Sequence, residues 1–371
     1  MNPSLSKLRN IAEQFDLHGE FVAAVPYGSG HINDTFRVDV DQGGRRVRYI
    51  LQRVNDNVFK DPAAVMHNVE RVTLHLKRSL ETSGVDEATR RCLTLVPTQN
   101  GAFSLIGPQG GTWRVFLFIE RTYAIDVIEN PNQAREAAAA FGTFQTLLAG
   151  LPAQELHETI PGFHHTRRRF NTFQNALELD PNNRAASAKE AIAFVHAHEE
   201  LVDTLLDLHE AGELPLRTTH NDTKINNVLF DEEYHEGICV VDLDTVMPGL
   251  AHYDFGDMIR GSTATALEDE RDLTKMKMDF ELFEAVTSGY LSTASFLTPT
   301  ELEYLPFSGK LITFECGMRF LTDYLLGDTY FKTSRLDQNL DRARSQFKLV
   351  RSIAEQEEAM SAFIINAQTV Q

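Results

Sequence analysis

The stretch His220-Asn-Asp-Thr-Lys-Ile-Asn-Asn227, followed by Val240-Val-Asp-Leu-Asp244, constrains this chain more than any other part of it. Asp222, Lys224 and Asn227 stand close together, and Asp242 follows four mostly apolar β-formers, Ile238, Cys239, Val240 and Val241. Val228-Leu-Phe230 should leave the first segment as a short strand, Asp231 to Gly237 should turn, and Ile238 to Val241 should return. Such a hairpin brings Asn227 and Asp242 to the same end of two paired strands, where their oxygens can share one hard cation such as magnesium. An ordinary hairpin with polar turns explains any one of these residues, but not the whole set with its intervening strands. Together they are the parts that phosphoryl transfer demands. Asp222 would orient and deprotonate a hydroxyl, Lys224 would stand by the moving group, and Asn227 and Asp242 would hold the metal.

Downstream, Asp254-Phe-Gly-Asp257 imitates the metal-binding tripeptide of protein kinases, but it follows the loop Met247-Pro-Gly249 instead of ending a paired strand. The metal role therefore goes to Asp242. Asp254 is expected either to cap the next helix or to hydrogen-bond the backbone of the catalytic loop.

The net charge of -18, over 371 residues, argues against nucleic acid or an anionic membrane as partner. A nucleotide would have to be met by local cations, magnesium and backbone N–H groups. Three cysteines without C-x-x-C spacing suggest reduced thiols. No apolar run approaches the ~20 residues of a membrane span. Met1 to Leu17 lacks the apolar middle of a signal peptide, so a cytoplasmic protein is expected.

The first third of the chain is rich in strands. A helix over 4–16 precedes strands at Phe21–Val25, Thr35–Val40 and Arg46–Val54. Between the first two lies Pro26-Tyr-Gly-Ser-Gly-His-Ile-Asn33. There Gly28, Ser29 and Gly30 form a tip whose backbone N–H groups could approach phosphates unobstructed. Asp61-Pro62 starts a helix that carries Glu70. In a kinase-like lobe that Glu pairs with a Lys on the third strand, yet this strand has Gln52 at the position. Either Gln52 meets phosphate by hydrogen bond alone or Lys224 supplies the missing charge. Strands at Leu93–Pro97, Phe103–Ile106 and Thr112–Phe118 run into a hinge at Phe118 to Glu120, where backbone groups could bind an adenine edge.

Beyond residue 121 helices dominate: 132–151, a long one over 186–212 closed by glycine, 268–283, 301–305 and 311–326. His196-x-His198 diverges by about 200° on a helix and reads as two solvated side chains. In the last helix Glu315, Arg319 and Asp323 share one face of an apolar segment. They form either a solvated ion-pair stripe or the polar lining of a pocket for a hydroxyl-rich molecule.

The His220 to Asp244 stretch resembles the aminoglycoside phosphotransferase-like superfamily of small-molecule kinases, and within it the N-acetylhexosamine 1-kinases. That narrower likeness rests on Tyr27-Gly-Ser-Gly-His-Ile-Asn33, Tyr49-Ile-Leu-Gln52, Asp254-Phe-Gly-Asp257, Ala266-Leu-Glu-Asp-Glu270, Leu305-Pro-Phe-Ser-Gly309 and Glu315-Cys-Gly-Met-Arg-Phe320. It spans nearly the full length. The resemblance implies a bilobal α+β protein-kinase-like fold. A small, mostly antiparallel β N-lobe (1–120) would bind nucleotide, and a larger helical C-lobe (121–371) would carry catalysis and the acceptor. It further implies magnesium-dependent transfer of the ATP γ-phosphate to the anomeric hydroxyl of an N-acetylhexosamine. Asp222 would be the base, Asn227 and Asp242 the metal ligands, and His31, Asn33, Arg319, Asp323 and Tyr330 the sugar contacts. Gln52 in place of Lys is a trait of that group. Other small-alcohol acceptors, aminoglycoside, choline-like or methylthioribose-type, are the alternative, and a non-catalytic nucleotide- or sugar-binding module is a third. After Met258-Ile-Arg260 the family pattern has an aromatic where this chain has Gly261, which bears on the acceptor preferred.

Overall fold

The computed structural model describes residues 3–28 and 32–369. It is bilobal, with a smaller sheet-based N-lobe and a larger helical C-lobe. The N-lobe opens with α1 (Leu5–Ala12), capped by Ser4 and shorter than the expected 4–16, because residues 13–14 already form a turn. Strands β1 (Glu20–Pro26), β2 (Asp34–Gln42) and β3 (Arg45–Arg53) follow. The β2–β3 hairpin turns on Gly43 and Gly44, both at positive φ, as a two-residue connection requires. Helix α2 (Pro62–Thr82) has Asp61 as its N-cap, accepting from the N–H groups of Ala63 and Ala64. Short α3 (Ala88–Arg91), β4 (Leu95–Val96), β5 (Leu105–Ile106) and β6 (Thr112–Leu117) complete the lobe. The antiparallel sheet runs β1-β2-β3-β6-β4, with β5 also on β6. Phe36, Val38 and Val40 of β2 alternate inward and pack on Trp113, Val115 and the apolar face of α1.

The chain leaves this sheet after Leu117 and enters a second one at β7 (Thr122–Ala124). After α4 (Pro131–Leu148), α5 (Thr166–Leu179), α6 (Lys189–Ala197) and α7 (Thr204–Glu210) come β8 (Arg217–Thr219), β9 (Val228–Asp231), β10 (Gly237–Val240) and β11 (Met247–Gly249). Sheet β10-β9-β7 and the pair β11-β8 form the cleft-facing edge of the C-lobe. Behind them stand α8 (Ala251–Ser262), α9 (Phe280–Thr293), α10 (Pro299–Glu303), α11 (Leu305–Leu326), α12 (Gln338–Ala354) and α13 (Glu357–Thr369). Helices α4 and α9 meet almost backbone to backbone, since a Cβ at Gly142 would lie 2.8 Å from the Tyr290 carbonyl. Helix α2 also packs into this C-lobe core through Val65, Val69 and Val72, which ties the lobes together.

Two expected helices differ. The segment 186–212 is broken at His198, whose backbone leaves the helical region and whose ring stacks on Phe194 at 3.9 Å while Nδ1 meets the Phe194 carbonyl. That histidine is packed, not solvated. The segment 268–283 is a loop until Phe280. Thr265 Oγ1 bonds the carbonyls of Lys275 and Lys277, and Asp279 caps α9, so side chain-to-backbone bonds displace the helix. Among the described residues no helix is long and apolar enough to cross a membrane.

Candidate active site

The loop 220–227, the candidate catalytic loop, is held from beneath by α8. The Asp254 carboxylate accepts from the backbone N–H of His220 (2.8 Å) and Asn221 (2.7 Å), and Asp257 accepts from the N–H of Thr223 (2.9 Å). Of the two roles expected for Asp254, this is the backbone one; it lies inside α8, whose N-cap is Leu250. Asn221 takes a positive φ of 64°, which turns the chain so that Asp222 faces outward while Thr223 Oγ1 returns to the Asp254 carbonyl. His220 is fully buried, edge-on to Phe141 and Phe144. Its Nε2 meets the Val241 carbonyl at 3.0 Å and its Nδ1 receives the Asp222 N–H, so one imidazole braces both the catalytic loop and the strand leading to Asp242.

The expected hairpin is present. Val228 pairs with Val240, and the Val241 N–H reaches the Asn227 carbonyl at 2.9 Å, which puts Asn227 and Asp242 side by side. Asn227 Nδ2 donates to the Asp222 carbonyl at 2.8 Å, leaving Oδ1 as its outward donor atom for a cation. Asp242 occupies the left-handed region (φ 61°, ψ 59°), a strained state for a side-chain-bearing residue that persists where the surroundings enforce it. Burial, then the carboxylates of Asp244 and Asp222, push its pKa up to about 6, against the pull of Lys224. Lys224 Nζ lies 2.9 Å from Asp222 Oδ2. Burial works against its charge, but Asp222, Asp242 and Asp257 outweigh that and hold the ammonium above its ordinary pKa. Two adjacent oxygen ligands suit magnesium, which keeps waters and takes its remaining ligands from phosphates. No cluster of three or more His, Cys, Asp or Glu able to hold a metal occurs among the described residues.

Between the lobes lies a cleft of about 740 Å³. Gly28, Gln52, Phe118, Lys224, Asn227 and Asp242 all line it; Ser29, Gly30 and His31 lie outside the described residues. Phe118 carries the Arg48 guanidinium over its ring at 4.4 Å and meets Tyr27 edge-on. Glu120 is not among the lining residues, and its carboxylate is paired with Arg48, which leaves the expected backbone contact of the hinge unaffected. Glu70 is also absent from it. The α2 residue that reaches the sheet's charged center is Met66, and Glu70 sits one turn, about 6 Å, further along the helix. The group beside Gln52 is instead Arg114, directly opposite it on β6. Arg114 Nε and Nη2 donate to Gln52 Oε1 (3.1 and 2.9 Å), and Nη1 donates to Asp244 Oδ1 at 2.5 Å. Asn33 is not a free substrate contact: Nδ2 donates to Asp244 Oδ2 (2.7 Å) and Oδ1 accepts from the Asn55 N–H. Asp244 of the C-lobe thus fastens two N-lobe segments.

On the other side of Asp222, the helix α11 stripe is divided in role, with Glu315 and Asp323 buried and Arg319 half-buried. Glu315 accepts from His164 Nδ1 (2.8 Å) and Thr166 Oγ1 (2.7 Å), and His164 Nε2 continues to the Asn221 carbonyl. One turn on, Arg319 lies between the rings of Phe163 (5.0 Å) and Phe331 (5.6 Å). The nearby Arg169 is held below its ordinary pKa by burial and by Arg319. Asp323 differs from expectation as a sugar contact, since its oxygens already accept from the N–H groups of Thr329, Tyr330 and Phe331 and from Asn339. It shapes the loop that presents Tyr330, which is 59% exposed. At Gly261 an added Cβ would meet nothing within 4 Å. The missing aromatic therefore leaves open space and removes no packed wall.

The profile of the Phosphotransferase enzyme family matches residues 23–279, from the first strand through the catalytic loop, the metal-side hairpin and α8. The chain belongs to that family. Its reaction class is phosphotransfer to a small-molecule acceptor. Solved structures share the architecture. An aminoglycoside phosphotransferase from Alicyclobacillus acidocaldarius is 14% identical, with 97% of this chain and 98% of that one covered at a TM-score of 0.64. A spectinomycin phosphotransferase in complex with ADP and spectinomycin is 16% identical, covering 96% and 99% at 0.59. A choline kinase from Cryptosporidium parvum is 14% identical, covering 99% of both at 0.57. At such identities the likeness is one of fold.

Three residues that build this phosphotransferase's site escaped the sequence reading: Arg114, which lines the cleft, and Asp244 and His164, which brace its segments from behind. Arg114 carried a signal, an arginine in an otherwise apolar strand, which is tolerated in a core only when paired. Its partner, Asp244, stands 130 positions away in sequence and carried none.

Proposed function

We propose that the protein transfers the γ-phosphate of ATP, with magnesium, to a hydroxyl of a neutral, hydroxyl-rich acceptor, and that the anomeric hydroxyl of an N-acetylhexosamine is that hydroxyl. One observation carries the reading. Lys224, Asn227 and Asp242 line the C-lobe floor of an interlobe cleft large enough for a nucleotide, and Asp222 stands beside them, 2.9 Å from Lys224 and bonded by Asn227. Asp222 orients the acceptor hydroxyl and takes its proton as its oxygen bonds to the γ-phosphorus. The β–γ bridging bond breaks and ADP leaves with the electron pair. Lys224 sits where the phosphoryl group passes, and leaving Asp222 for phosphate frees the base. A bound magnesium, held by Asn227 Oδ1 and Asp242, would neutralise phosphate charge.

The region beyond Asp222 favors a sugar-like acceptor. Glu315 is joined through His164 to the catalytic loop, so Arg319, one turn on, looks toward the same side. Arg319 and Arg169, flanked by Phe163, Phe331 and Tyr330, give aromatic faces for a sugar ring and donors for hydroxyl or acetamido oxygens. The second reading, an aminoglycoside or choline-like acceptor, has the acceptors named for the solved structures of this fold in its favor. Two guanidinium groups beside the acceptor position weigh against a cation there. A coupled ADP-release assay over N-acetylhexosamines, aminoglycosides and choline separates them. Turnover on amines and none on sugars overturns the sugar assignment, and no acceptor-dependent turnover at all overturns the kinase reading.

A further inference from the structure

The N-lobe wall of the cleft has a charge arrangement that the catalytic loop leaves unexplained. Gln52 and Arg114 are register partners on β3 and β6, so their side chains share the sheet face turned to the cleft. Two guanidinium nitrogens claim the single oxygen Gln52 Oε1, while Gln52 Nε2 donates to Thr35 Oγ1 at 3.0 Å. That fixes the amide, with its oxygen on Arg114 and its nitrogen toward Thr35 and the cleft, and it leaves one Nε2 hydrogen unassigned. Arg114 itself is 1% exposed, where its charge is little screened by water. Among the described residues that line the cleft, Arg114 and Lys224 are the cations, and Lys224 stands on the C-lobe floor against Asp222. Among the described lining residues, a polyphosphate entering the cleft would meet no other cation on the N-lobe wall.

We propose that Gln52 and Arg114 form one phosphate-reading unit. Gln52 gives its second Nε2 hydrogen to a non-bridging oxygen of the nucleotide's α- or β-phosphate. Arg114 is the positioning residue behind it, fixing which way the amide points and supplying the charge. Asp244 keeps that charge in place from the opposite lobe, so the wall is formed only when the lobes are joined. The inference rests on the cleft being the nucleotide site.

Calorimetric titration of the full chain with adenosine, AMP and ADP, each with magnesium, tests it. In Arg114→Gln, ADP affinity is expected to fall by roughly 10–100-fold, the worth of one charge-assisted hydrogen bond, with adenosine affinity unchanged. An equal loss for all three ligands marks a merely structural residue and overturns the proposal, as does a folded variant with full ADP affinity. The exchange Gln52→Lys with Arg114→Gln returns a cation to β3 and is expected to restore at least tenfold of the lost ADP affinity; no recovery counts against the unit. Should Arg114→Gln fail to fold, Arg114→Lys decides, because it keeps the charge without the fork. A loss confined to the phosphate-bearing ligands supports the unit, and any other pattern overturns it. Wild-type protein that binds no ADP would overturn the nucleotide site together with this unit, whereas wild-type binding with an unselective variant overturns the unit alone.

Discussion

The two walls of the cleft are assembled in opposite ways. On the C-lobe side, one loop and one hairpin carry Asp222, Lys224, Asn227 and Asp242, and α8 lies close by to hold them. On the N-lobe side the corresponding charge is assembled from distant segments. Arg114 meets Gln52 across 62 positions and Asp244 across 130, and Asn33 meets Asp244 across 211. The first wall is local chemistry on a rigid turn. The second exists only after strand pairing and lobe docking, so it should be the one that couples stability to ligand binding.

The largest effect should come from the local wall. Asp222→Asn is expected to lower turnover by roughly 10²–10⁴ while nucleotide affinity survives, because proton positioning is lost and binding is not. Steady-state kinetics beside calorimetry would show it, and undiminished turnover would move the base elsewhere. The assembled wall should instead respond in stability. Asp244→Ala leaves Arg114 buried without a counter-charge, at about 3–5 kcal/mol by urea unfolding. A much smaller cost would mean that the two walls are independent.

Asp242 sharpens the contrast in another direction. Its folded pKa, about 6, lies above the ordinary carboxylate value, so the folded chain holds this proton more tightly than the unfolded one. Stability from this group is therefore lost as pH rises from about 4 through 6, and the cost remains at neutral pH. Asp242→Asn should raise the Tm of the ligand-free protein by about 2 °C or more, read by thermal melts at pH 7.5, while removing magnesium-dependent ADP binding. A lowered Tm would show that the ionised carboxylate is stabilised after all. In the wild type, magnesium-dependent affinity should weaken as pH falls through about 6. The smallest change is expected at the acceptor side. Arg319→Ala should raise acceptor KM roughly tenfold and leave the KM for ATP alone; the reverse order would place α11 outside the acceptor pocket.

The helices that failed to form as expected follow the same division. Periodicity placed α2, β9 and β10 well, since their apolar faces and turns are set by neighbors in sequence. Over 186–212 and 268–283 the pattern also looked helical, but His198 on Phe194 and Thr265 on two lysine carbonyls gave the backbone other partners. Asn33 and Asp323 show the same limit among the site residues. Each carries suitable polar atoms, and each has them engaged by a partner far along the chain or by a loop that folds back.

By itself the sequence determined the turn of 220–227, the hairpin that follows it and the strand-then-helix order. Those depend on residue types at short spacing, where geometry follows from local backbone rules. Tertiary structure decided which cation lines the N-lobe wall of the cleft and which acidic groups are already engaged. Whether a carboxylate or guanidinium is free depends on what long-range folding places within about 3 Å of it, and no spacing rule encodes that distance.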